Sequence, residues 1–544
     1  MFLKLLVVIY AATSLSALPA SPAGGSAYKL PAHSITAKQS RLPLHQGASP
    51  VSGPITSVAP RFSAGPKISL LGGLNKPGLK ATDNSNLNLG APPDTTGAIG
   101  PGYYIEMVNS IIAIYHRADL SFLKSSSFQT WLGKSPGTAL CDPQIQWDSS
   151  SQRWLYVVLG CSFSLHYFLF GWSKSSDPTD FVNGWCKFSA PTPGELTDYP
   201  KLGHSGSYMI VGTNDFANQT TFDTAQIFWM ATPAPGDSSC TQPAINSAGS
   251  KATPLRNDDS SLSATPVPVN TMTGAADGYV LAAYDPSGPP TSVQDHIAIW
   301  HVDAAGALQK DADIAVTAYT VPNPAPNAGG SFPIDTLDGR LTQAVGDPLL
   351  GMWTQHTVSP SVGPAVRSQV NWYEVQVAAG VPALTQEGAI ASSTDFVFNG
   401  AISPTFDSHG VAIQYNRSSS SLLPLIAAQS RTTLTPLGQM DPVEMILATS
   451  ADFDQDFTCG FMGFPCRWGD YAGASPDPIA PSVVWGANQT LALHDSANPS
   501  FPVWVTRIFA MVVQSRQVTP VPGSGPGSRP PVQQVSPAPS PRPR

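Results

Sequence analysis

The chain has 544 residues, of which only 12% are charged, with 54 prolines, 46 glycines and a formal net charge of -8. Long amphipathic helices need charged faces, so this balance argues against a mainly helical protein and favours many short strands joined by turns. The net charge is negative, whereas nucleic-acid-binding proteins usually have an excess of basic residues, so we expect no nucleic-acid partner.

The N-terminal segment has the pattern of a secretory signal. Lys4 supplies a positive charge, residues 5–12 are apolar, and small residues follow as far as Ala20. The apolar run falls short of the ~20 residues that a membrane-spanning helix needs. We therefore predict a signal peptide at 1–20 and no membrane span, for a secreted and extracellular protein that is a monomer. Residues 21–66 are rich in Pro, Ser and Ala, and we interpret them as a flexible leader.

The first structured stretch, PPDTTGAIGPGYYIEMVNSIIAIYHR (92–117), sets a plan that later segments repeat. A Pro- and Gly-rich turn that carries Asp94 leads into a run of aromatic and β-branched residues, which is typical of a strand. Asn109 and Ser110 interrupt the run and predict a hairpin rather than one long strand.

Six further segments follow the same plan of an acidic turn and a strand. The strand anchors of all the repeats are Tyr103, Trp154, Tyr208, Tyr279, Trp353, Val411 and Val484. Their spacing exceeds the roughly 40–50 residues of a minimal four-stranded blade. We predict an all-β protein with a seven-bladed β-propeller over 67–514. A six-bladed propeller, in which one repeat is only a loop, and two unrelated β-sandwiches are the alternatives.

The end of the chain has two distinct parts. The strand at 501–513 is predicted to complete a blade begun elsewhere, which would protect the edges of the ring. The tail at 515–544 is rich in Pro, Ser and Arg, which predicts an extended or disordered segment. Such runs are similar to those of wall-associated proteins.

Six cysteines indicate an oxidising compartment. They allow 15 pairings, among which proximity favours Cys459–Cys466, then Cys141–Cys161 and Cys186–Cys240. Sequons predict glycosylation at Asn218, Asn416 and Asn488.

The repeats also resemble those of a broad group of secreted, sialidase-like propeller proteins that is largely uncharacterised. The resemblance covers about 90–495 and is carried by the motifs PPDTTGAIGPGYYIEMVN, CDPQIQWDSSSQRWLYV, DYPKLG, DTLDGRLTQAV with MWTQHTV, and RWGDYAGASPDP. It implies a sialidase-like propeller but does not determine the substrate. The Asp-box repeats of true sialidases are missing from the sequence, but Arg340, Arg431 and Arg467 are candidates for the arginine triad of those enzymes.

Recurring acidic turns are the strongest chemical pattern. Propeller loops converge on one mouth of the central channel, so one hypothesis is that these aspartates ring a shared site that binds sugar hydroxyls or a cation, or supplies acid and base. Because they recur at equivalent places, we favour for most of them the interpretation that each aspartate caps its own turn. The aspartates are Asp94, Asp142, Asp198, Asp338 and Asp470.

Two of these turns carry the best catalytic candidates, Asp338 with Arg340 and Asp470 with Arg467. Asp94, Asp142 and Asp198 are predicted to bind ligand, together with Trp353, His356, Trp468 and Arg431. For His356, a structural histidine is the alternative.

Alternating acids at Asp452, Asp454 and Asp456 imitate the start of a calcium loop. Phe457 stands where that loop needs Gly, so a structural calcium ion is a secondary hypothesis beside a solvated acidic turn. No other cofactor is predicted.

Three functions remain open from the sequence. The first is a propeller that binds glycans, that is, carbohydrate or another cell-surface polymer, through its loop face. The others are a glycoside hydrolase or lyase that uses the Asp/Arg cluster at the mouth, and a structural wall or matrix protein. The sequence alone leaves it uncertain whether the protein is an enzyme.

Overall fold

The computed structural model describes residues 68–84, 90–161, 166–192, 196–217, 221–287, 292–361 and 367–514. The predicted signal peptide, the leader, the tail and the sequon at Asn218 lie outside these residues. Almost all of the described secondary structure is β-strand, as predicted. Described helices are short: α1 (Phe128–Leu132) and the 3-10 turns Ala81–Asp83 and Phe461–Gly463. Within the described ranges, no helix has the length and apolar character to cross a membrane.

The first described strand, β1 (Ile68–Lys80), does not pair with its neighbours in sequence. The next eight strands form two separate four-stranded antiparallel sheets, each in chain order. One contains β2 (Thr96–Ile99), β3 (Tyr103–Val108), β4 (Ile111–His116) and β5 (Phe122–Ser127). The other contains β6 (Leu140–Asp148), β7 (Arg153–Gly160), β8 (Tyr167–Ser173) and β9 (Trp185–Pro191). As predicted, β3 and β4 form a hairpin that turns at Asn109 and Ser110.

The middle of the chain forms one twelve-stranded sheet built from three antiparallel runs. The first run contains β10 (Leu196–His204), β11 (Tyr208–Ala217), β12 (Thr221–Ala231) and β13 (Asn246–Ala248). The second contains β14 (Val267–Thr271), β15 (Gly278–Ala283), β16 (Gln294–Val302) and β17 (Leu308–Thr320). The third contains β18 (Leu341–Asp347), β19 (Gly351–Pro360), β20 (Gln369–Ala378) and β21 (Val381–Ile390). Parallel pairs join the first strands of these runs, β10 to β14 and β14 to β18.

Two further four-stranded sheets follow. One contains β22 (Phe396–Pro404), β23 (Gly410–Ser419), β24 (Leu422–Thr432) and β25 (Met445–Thr449). The last contains β26 (Gly473–Pro476), β27 (Val483–Leu491), β28 (Trp504–Val513) and, on its outer edge, the N-terminal strand β1.

The first strands of successive sheets contact one another around a ring, and β26 of the last sheet contacts β2 of the first. The core lies between the faces of neighbouring sheets. Ile105 of β3, for example, shares a cluster with Tyr156 of β7, and Trp485 of β27 shares one with Tyr104 of β3. Strands buried on both faces have apolar side chains at nearly every position, which explains the continuous apolar runs of the sequence. The fold is a β-propeller, and the alternative of two separate sandwiches is wrong.

Ring closure differs from the prediction in one respect. The strand predicted at 501–513 does not complete a blade begun elsewhere, because β28 pairs with β27 in its own sheet. The N-terminal strand β1 instead supplies the outer strand of the last sheet. Glu106, buried in β3, accepts a hydrogen bond from the amide of Leu79 in β1 over 3.0 Å. Closure therefore joins the two ends of the folded region.

Candidate functional site

The aspartates of the predicted turns meet at one end of the central channel. The first strands of the sheets run parallel where they pair, so their starting ends lie on the same face. Each aspartate lies at or just before the start of such a strand: Asp94 before β2, Asp142 in β6, Asp198 in β10, Asp338 before β18 and Asp470 before β26. We use the name mouth cluster for these five aspartates with Tyr199, Lys201, Arg340, Arg467 and Tyr471.

Asn109, in the turn between β3 and β4, connects the first two sheets at the mouth. Its Nδ2 donates to Oδ2 of Asp94 over 2.7 Å, and its Oδ1 accepts from the amide of Asp142 over 2.9 Å. Asp94 and Asp142 both have a left-handed backbone, each with φ of 48°. Asp tolerates this conformation better than most residues, because its short polar side chain can bond locally. In β6 the pairing register shifts between Cys141 and Gln144, and bulges of this kind re-aim side chains.

Lys201 is the central residue of the mouth cluster. Its side chain is buried, and Nζ lies 3.8 Å from the ring centroid of Tyr199 and 3.5 Å from that of Tyr471. The hydroxyl of Tyr199 donates to the carbonyl of Asp470 over 3.0 Å, and that of Tyr471 donates to the carbonyl of Pro143 over 3.3 Å. The two rings are therefore fixed, and they hold the amine of Lys201 in place. Among the described residues, Nζ has no hydrogen-bond partner.

Two ion pairs border this lysine. Nε of Arg340 donates to Oδ1 of Asp338 over 2.7 Å, and its Nη2 donates to the other carboxylate oxygen. The guanidinium carbon lies 4.4 Å from the ring centroid of Tyr199. Nη2 of Arg467 contacts both carboxylate oxygens of Asp470, at 3.0 and 3.1 Å. All four side chains are only slightly exposed.

Below the mouth cluster, the first strands line a narrow channel. The lining side chains are mostly small or polar: Thr96, Ala98, Gln144, Gln146, Lys201, Asn270, Gln343 and Ser475 among others. Nε2 of Gln144 and Oε1 of Gln146 are buried, and neither has a hydrogen-bond partner among the described residues. The channel thus presents donors and acceptors that the described part of the chain leaves unsatisfied.

Burial and mutual repulsion change the proton affinities of the mouth cluster. Burial raises the pKa of Asp94 to about 7, with help from the charge of Asp470 and against the charge of Arg467. Burial also raises the pKa of Asp198 to about 6, against the nearby charge of Arg340.

Asp142 and Lys201 respond to burial in opposite directions. Burial raises the pKa of Asp142 well above its usual value, with contributions from Asp198, Asp94 and Asp470. Burial lowers the pKa of Lys201, although the charge of Asp142 opposes this change. Both changes favour the uncharged forms of the two groups.

Sequence reasoning named the aspartates and arginines of this cluster but missed Tyr199, Lys201, Tyr471 and Gln144. The sequence did contain an indication for Lys201. The motif DYPKLG places this lysine in a strand in which its neighbours are apolar or small. Lysine is rarely buried without a functional or structural reason.

Trp353 and Arg431 do not belong to the mouth cluster. Trp353 is buried in the core between β19 and β23, beside Trp372. The guanidinium of Arg431 packs on both tryptophans, donates to carbonyls of Gln439 and Thr435, and contacts Gln386. The proposed triad of Arg340, Arg431 and Arg467 is therefore wrong, since Arg431 is held elsewhere by these partners.

Trp468 and His356 are structural. Trp468 is buried beside Phe398, and its Nε1 donates to Oδ1 of Asn416 over 3.1 Å, so the ring cannot stack on a ligand. His356 is buried, with Nδ1 2.7 Å from the carbonyl of Gly339 and Nε2 2.9 Å from the hydroxyl of Tyr373. Burial lowers the pKa of His356 to about 4. Because both side chains are buried, the prediction that they bind ligand is wrong.

The alternating acids have separate partners. Asp452 accepts from Nδ1 of His494 over 3.1 Å, and Asp456 accepts from the hydroxyl of Thr458 over 2.6 Å. Asp454 lies near the sulfurs of Cys459 and Cys466, but those two are bonded to each other. Calcium binding by this loop stays a prediction.

The cysteines pair as Cys141–Cys161, Cys186–Cys240 and Cys459–Cys466, the pairs that proximity favours. Two of the predicted glycosylation sites are corrected. Asn416 and Asn488 lie inside the sheets, and their amide groups donate to buried acceptors, so neither can carry a glycan in the folded protein.

No known protein family matches the sequence, and no curated protein matches it. Solved structures with similar folds include the WD40 domain of SCAP from fission yeast, at 9% identity and a TM-score of 0.31, covering 78% of this chain and 83% of that one. Drosophila Semaphorin 1b matches at 7% identity and a TM-score of 0.35, covering 82% and 88%. An arabinanase from Bacillus subtilis matches at 11% identity and a TM-score of 0.27, covering 53% and 96%. At TM-scores this low, the assignment of this chain to the β-propellers depends on its own strand order and pairing.

Proposed function

We propose that this protein binds neutral, hydroxyl-rich carbohydrate at the mouth cluster of a seven-bladed propeller. Two observations support the blade count. The strand anchors read from the sequence lie on the second strands of successive four-stranded units, namely β3, β7, β11, β15, β19, β23 and β27. Seven apolar clusters also fill the spaces between consecutive units. The three disulfides fit a secreted protein.

One observation carries the ligand assignment. Nζ of Lys201 and Nε2 of Gln144 come from neighbouring first strands, line the same channel, are buried, and lack hydrogen-bond partners among the described residues. Burying such groups without partners costs about 1–3 kcal/mol each. A ligand that satisfies them recovers this cost, so the mouth is built to receive one.

The charges around these groups select the class of ligand. Arg340 and Arg467 are already paired with Asp338 and Asp470. Burial favours the uncharged forms of Asp142 and Lys201, so the cluster has little net charge with which to attract an anion or a metal cation. A hydroxyl group both donates and accepts, so it can accept from Lys201 and Gln144 and bond to Asp142 in either protonation state. A compound with several adjacent hydroxyls, as in a neutral sugar, fits this set of groups best.

The test is a calorimetric titration with neutral and acidic saccharides, using Lys201→Met and Asp142→Asn beside the wild type. We expect the wild type to bind neutral saccharides and both variants to lose affinity by about tenfold, since losing a buried hydrogen bond and leaving its partner unsatisfied costs about 1–3 kcal/mol. Lys187→Met is the matched control, because Lys187 lies on the outer strand β9, is only partly buried, and donates to the carbonyl of Phe181 in the preceding turn. The proposal would be contradicted if Lys201→Met bound as tightly as the wild type, or if the wild type bound acidic saccharides only.

A second candidate is glycoside hydrolysis at the same mouth. It is favoured by the pKa of about 7 at Asp94 and about 6 at Asp198, because such carboxylic acids keep a proton near neutral pH and can deliver it to a leaving oxygen. A neighbouring carboxylate would then serve as base or nucleophile. Chromogenic aryl glycosides and a reducing-end assay test this function. Turnover by the wild type that Asp198→Asn abolishes while saccharide binding persists would establish an enzyme. A wild type without turnover would support binding without catalysis.

A further inference from the structure

Two long connections reach the face that carries the mouth cluster. Residues 321–340 join β17 to β18, and residues 450–472 join β25 to β26. Both lead from the outer strand of one unit into the first strand of the next. They therefore arrive where the first strands begin, which is the side of Asp338 and Asp470.

The two connections are held against each other by fixed contacts. Nδ2 of Asn327 donates to the carbonyl of Asp454 over 2.7 Å, and its Oδ1 accepts from the amide of Asp454 over 3.0 Å. The amide of Asp335 donates to the carbonyl of Cys466 over 2.9 Å. Together with the Cys459–Cys466 disulfide, these bonds make one connected wall beside the mouth.

Three phenylalanines project from this wall, and we call them the aromatic rim: Phe332, Phe461 and Phe464. They are 42%, 40% and 45% exposed, although large apolar side chains are usually buried. Phe332 packs against Gly460, where an added Cβ would lie 2.3 Å from its ring. The amide of Phe464 donates to the carbonyl of Phe461 over 3.0 Å, so the three rings surround one turn.

The aromatic rim and the mouth cluster are close in sequence on the connection at 450–472. Arg467 follows the stapled Cys466 and pairs with Asp470 in the mouth. The charge of Asp335, on the other connection, also acts on Arg467. The same two connections therefore carry both the apolar rings and charged groups of the mouth.

We infer that the ligand is a carbohydrate chain whose terminal unit enters the mouth and whose next unit stacks on the aromatic rim. This inference rests on the proposed function. Lys201 and Gln144 are buried, so only the end of a chain reaches them, and the rest of the chain stays outside, on the face to which the wall belongs. A sugar ring has an apolar C–H face and a polar edge, which matches phenylalanine rings bordered by carboxylates and a guanidinium.

A second copy of the chain fits the aromatic rim less well. The exposed fractions of the three rings amount to roughly 250 Å², taking a side chain as about 200 Å². A stable protein interface buries about 800 Å² on each partner. The rim is too small for such an interface but comparable to the face of a sugar unit or two.

The test compares the affinities of the full-length protein for cello-, xylo- and galacto-oligosaccharides with those for the matching monosaccharides. We expect the longer compounds to bind more tightly to the wild type. In Phe461→Ala/Phe464→Ala, their affinity should fall by about 3- to 10-fold, while monosaccharide affinity is unchanged. Phe122→Ala is the matched control, since Phe122 is 59% exposed on β5 in another sheet. Thermal unfolding checks that each variant is folded.

The outcomes separate the inference from the function on which it rests. Equal affinity for mono- and oligosaccharides, or a double variant that binds oligosaccharides as tightly as the wild type, overturns the inference alone. No saccharide binding by the wild type overturns both. A change of sedimentation coefficient in the double variant, without a change in affinity, assigns the rim to self-association and also overturns the inference.

Discussion

The backbone amide of Asp470 donates a hydrogen bond to Oδ1 of Asp94 over 2.7 Å, although 376 positions separate the two residues. The bond joins the entry of the last sheet to the entry of the first. The other oxygen of Asp94 accepts from Asn109, which also contacts the amide of Asp142. Asp94 and Asp470, two residues of the mouth cluster, therefore also help to close the ring.

Removing the carboxylate of Asp94 should destabilise the protein. Asp94→Ala leaves two buried donors without an acceptor, and we expect a loss of about 1–3 kcal/mol in the free energy of unfolding. Asp94→Asn keeps one acceptor oxygen and should lose less. Denaturant unfolding of the three proteins measures the difference. An alanine variant as stable as the wild type would contradict the role given to this residue.

Strand β1, which completes the last sheet, should tolerate no side chain at Gly78. A Cβ there would lie 2.4 Å from Oγ1 of Thr506 and 2.5 Å from Oε2 of Glu106, in a buried region. We expect Gly78→Ala to cost about 1–3 kcal/mol, as overpacking usually does. Gly102→Ala is the control, because an added Cβ at Gly102 meets nothing within 4 Å. Protease cleavage within β1 should increase in the first variant only.

The buried acids Asp215 and Asp94 should each lose stabilising effect as pH rises from 6.5 to 8. Burial raises the pKa of Asp215 to about 7, and that of Asp94 to about 7. A carboxyl group whose folded pKa exceeds its unfolded value of ~3.9 contributes stability at low pH and loses it as pH rises through the folded pKa. Each group should lose about 1 kcal/mol over this range.

Asp215→Asn provides the control for the pH dependence, because this residue lies outside the mouth cluster. It should flatten the curve of unfolding free energy against pH. His356 has a lowered pKa of about 4, so its stabilising contribution falls as pH drops below its unfolded value of ~6.5, and it changes by only about 0.4 kcal/mol within the window. Parallel curves for the wild type and Asp215→Asn over this window would contradict the assignment, whatever the slope of the wild-type curve.

The disulfides should differ in their contributions to stability. Cys186–Cys240 spans 54 positions and Cys459–Cys466 spans only 7. Loop-closure entropy predicts about 4 kcal/mol for the longer loop and about 2 kcal/mol for the shorter one. Double serine variants of each pair, compared by thermal unfolding, measure this order. The reverse order would show that closure entropy is not the main effect.

The sequence by itself determined the repeated strand pattern and the position of the acidic turns within each repeat. The strand anchors lie on second strands because apolar and β-branched runs bounded by turns are local signals that need no partner to be recognised. The aspartates at the turns meet because every repeat places its turn at the same position relative to the axis. A periodic sequence thus carries information about distant contacts, and the mouth cluster was largely predictable from it.

Only the tertiary structure decided which polar residues are free to bind. Asn416, Asn488, Trp468 and His356 look exposed or reactive in the sequence, but neighbouring sheets bury them and satisfy their polar groups. Arg431 packs on two tryptophans, away from the mouth. Lys201 became a central residue because two tyrosines from different sheets enclose its amine. Burial and hydrogen bonding across sheets depend on contacts between distant segments, which local sequence patterns do not contain.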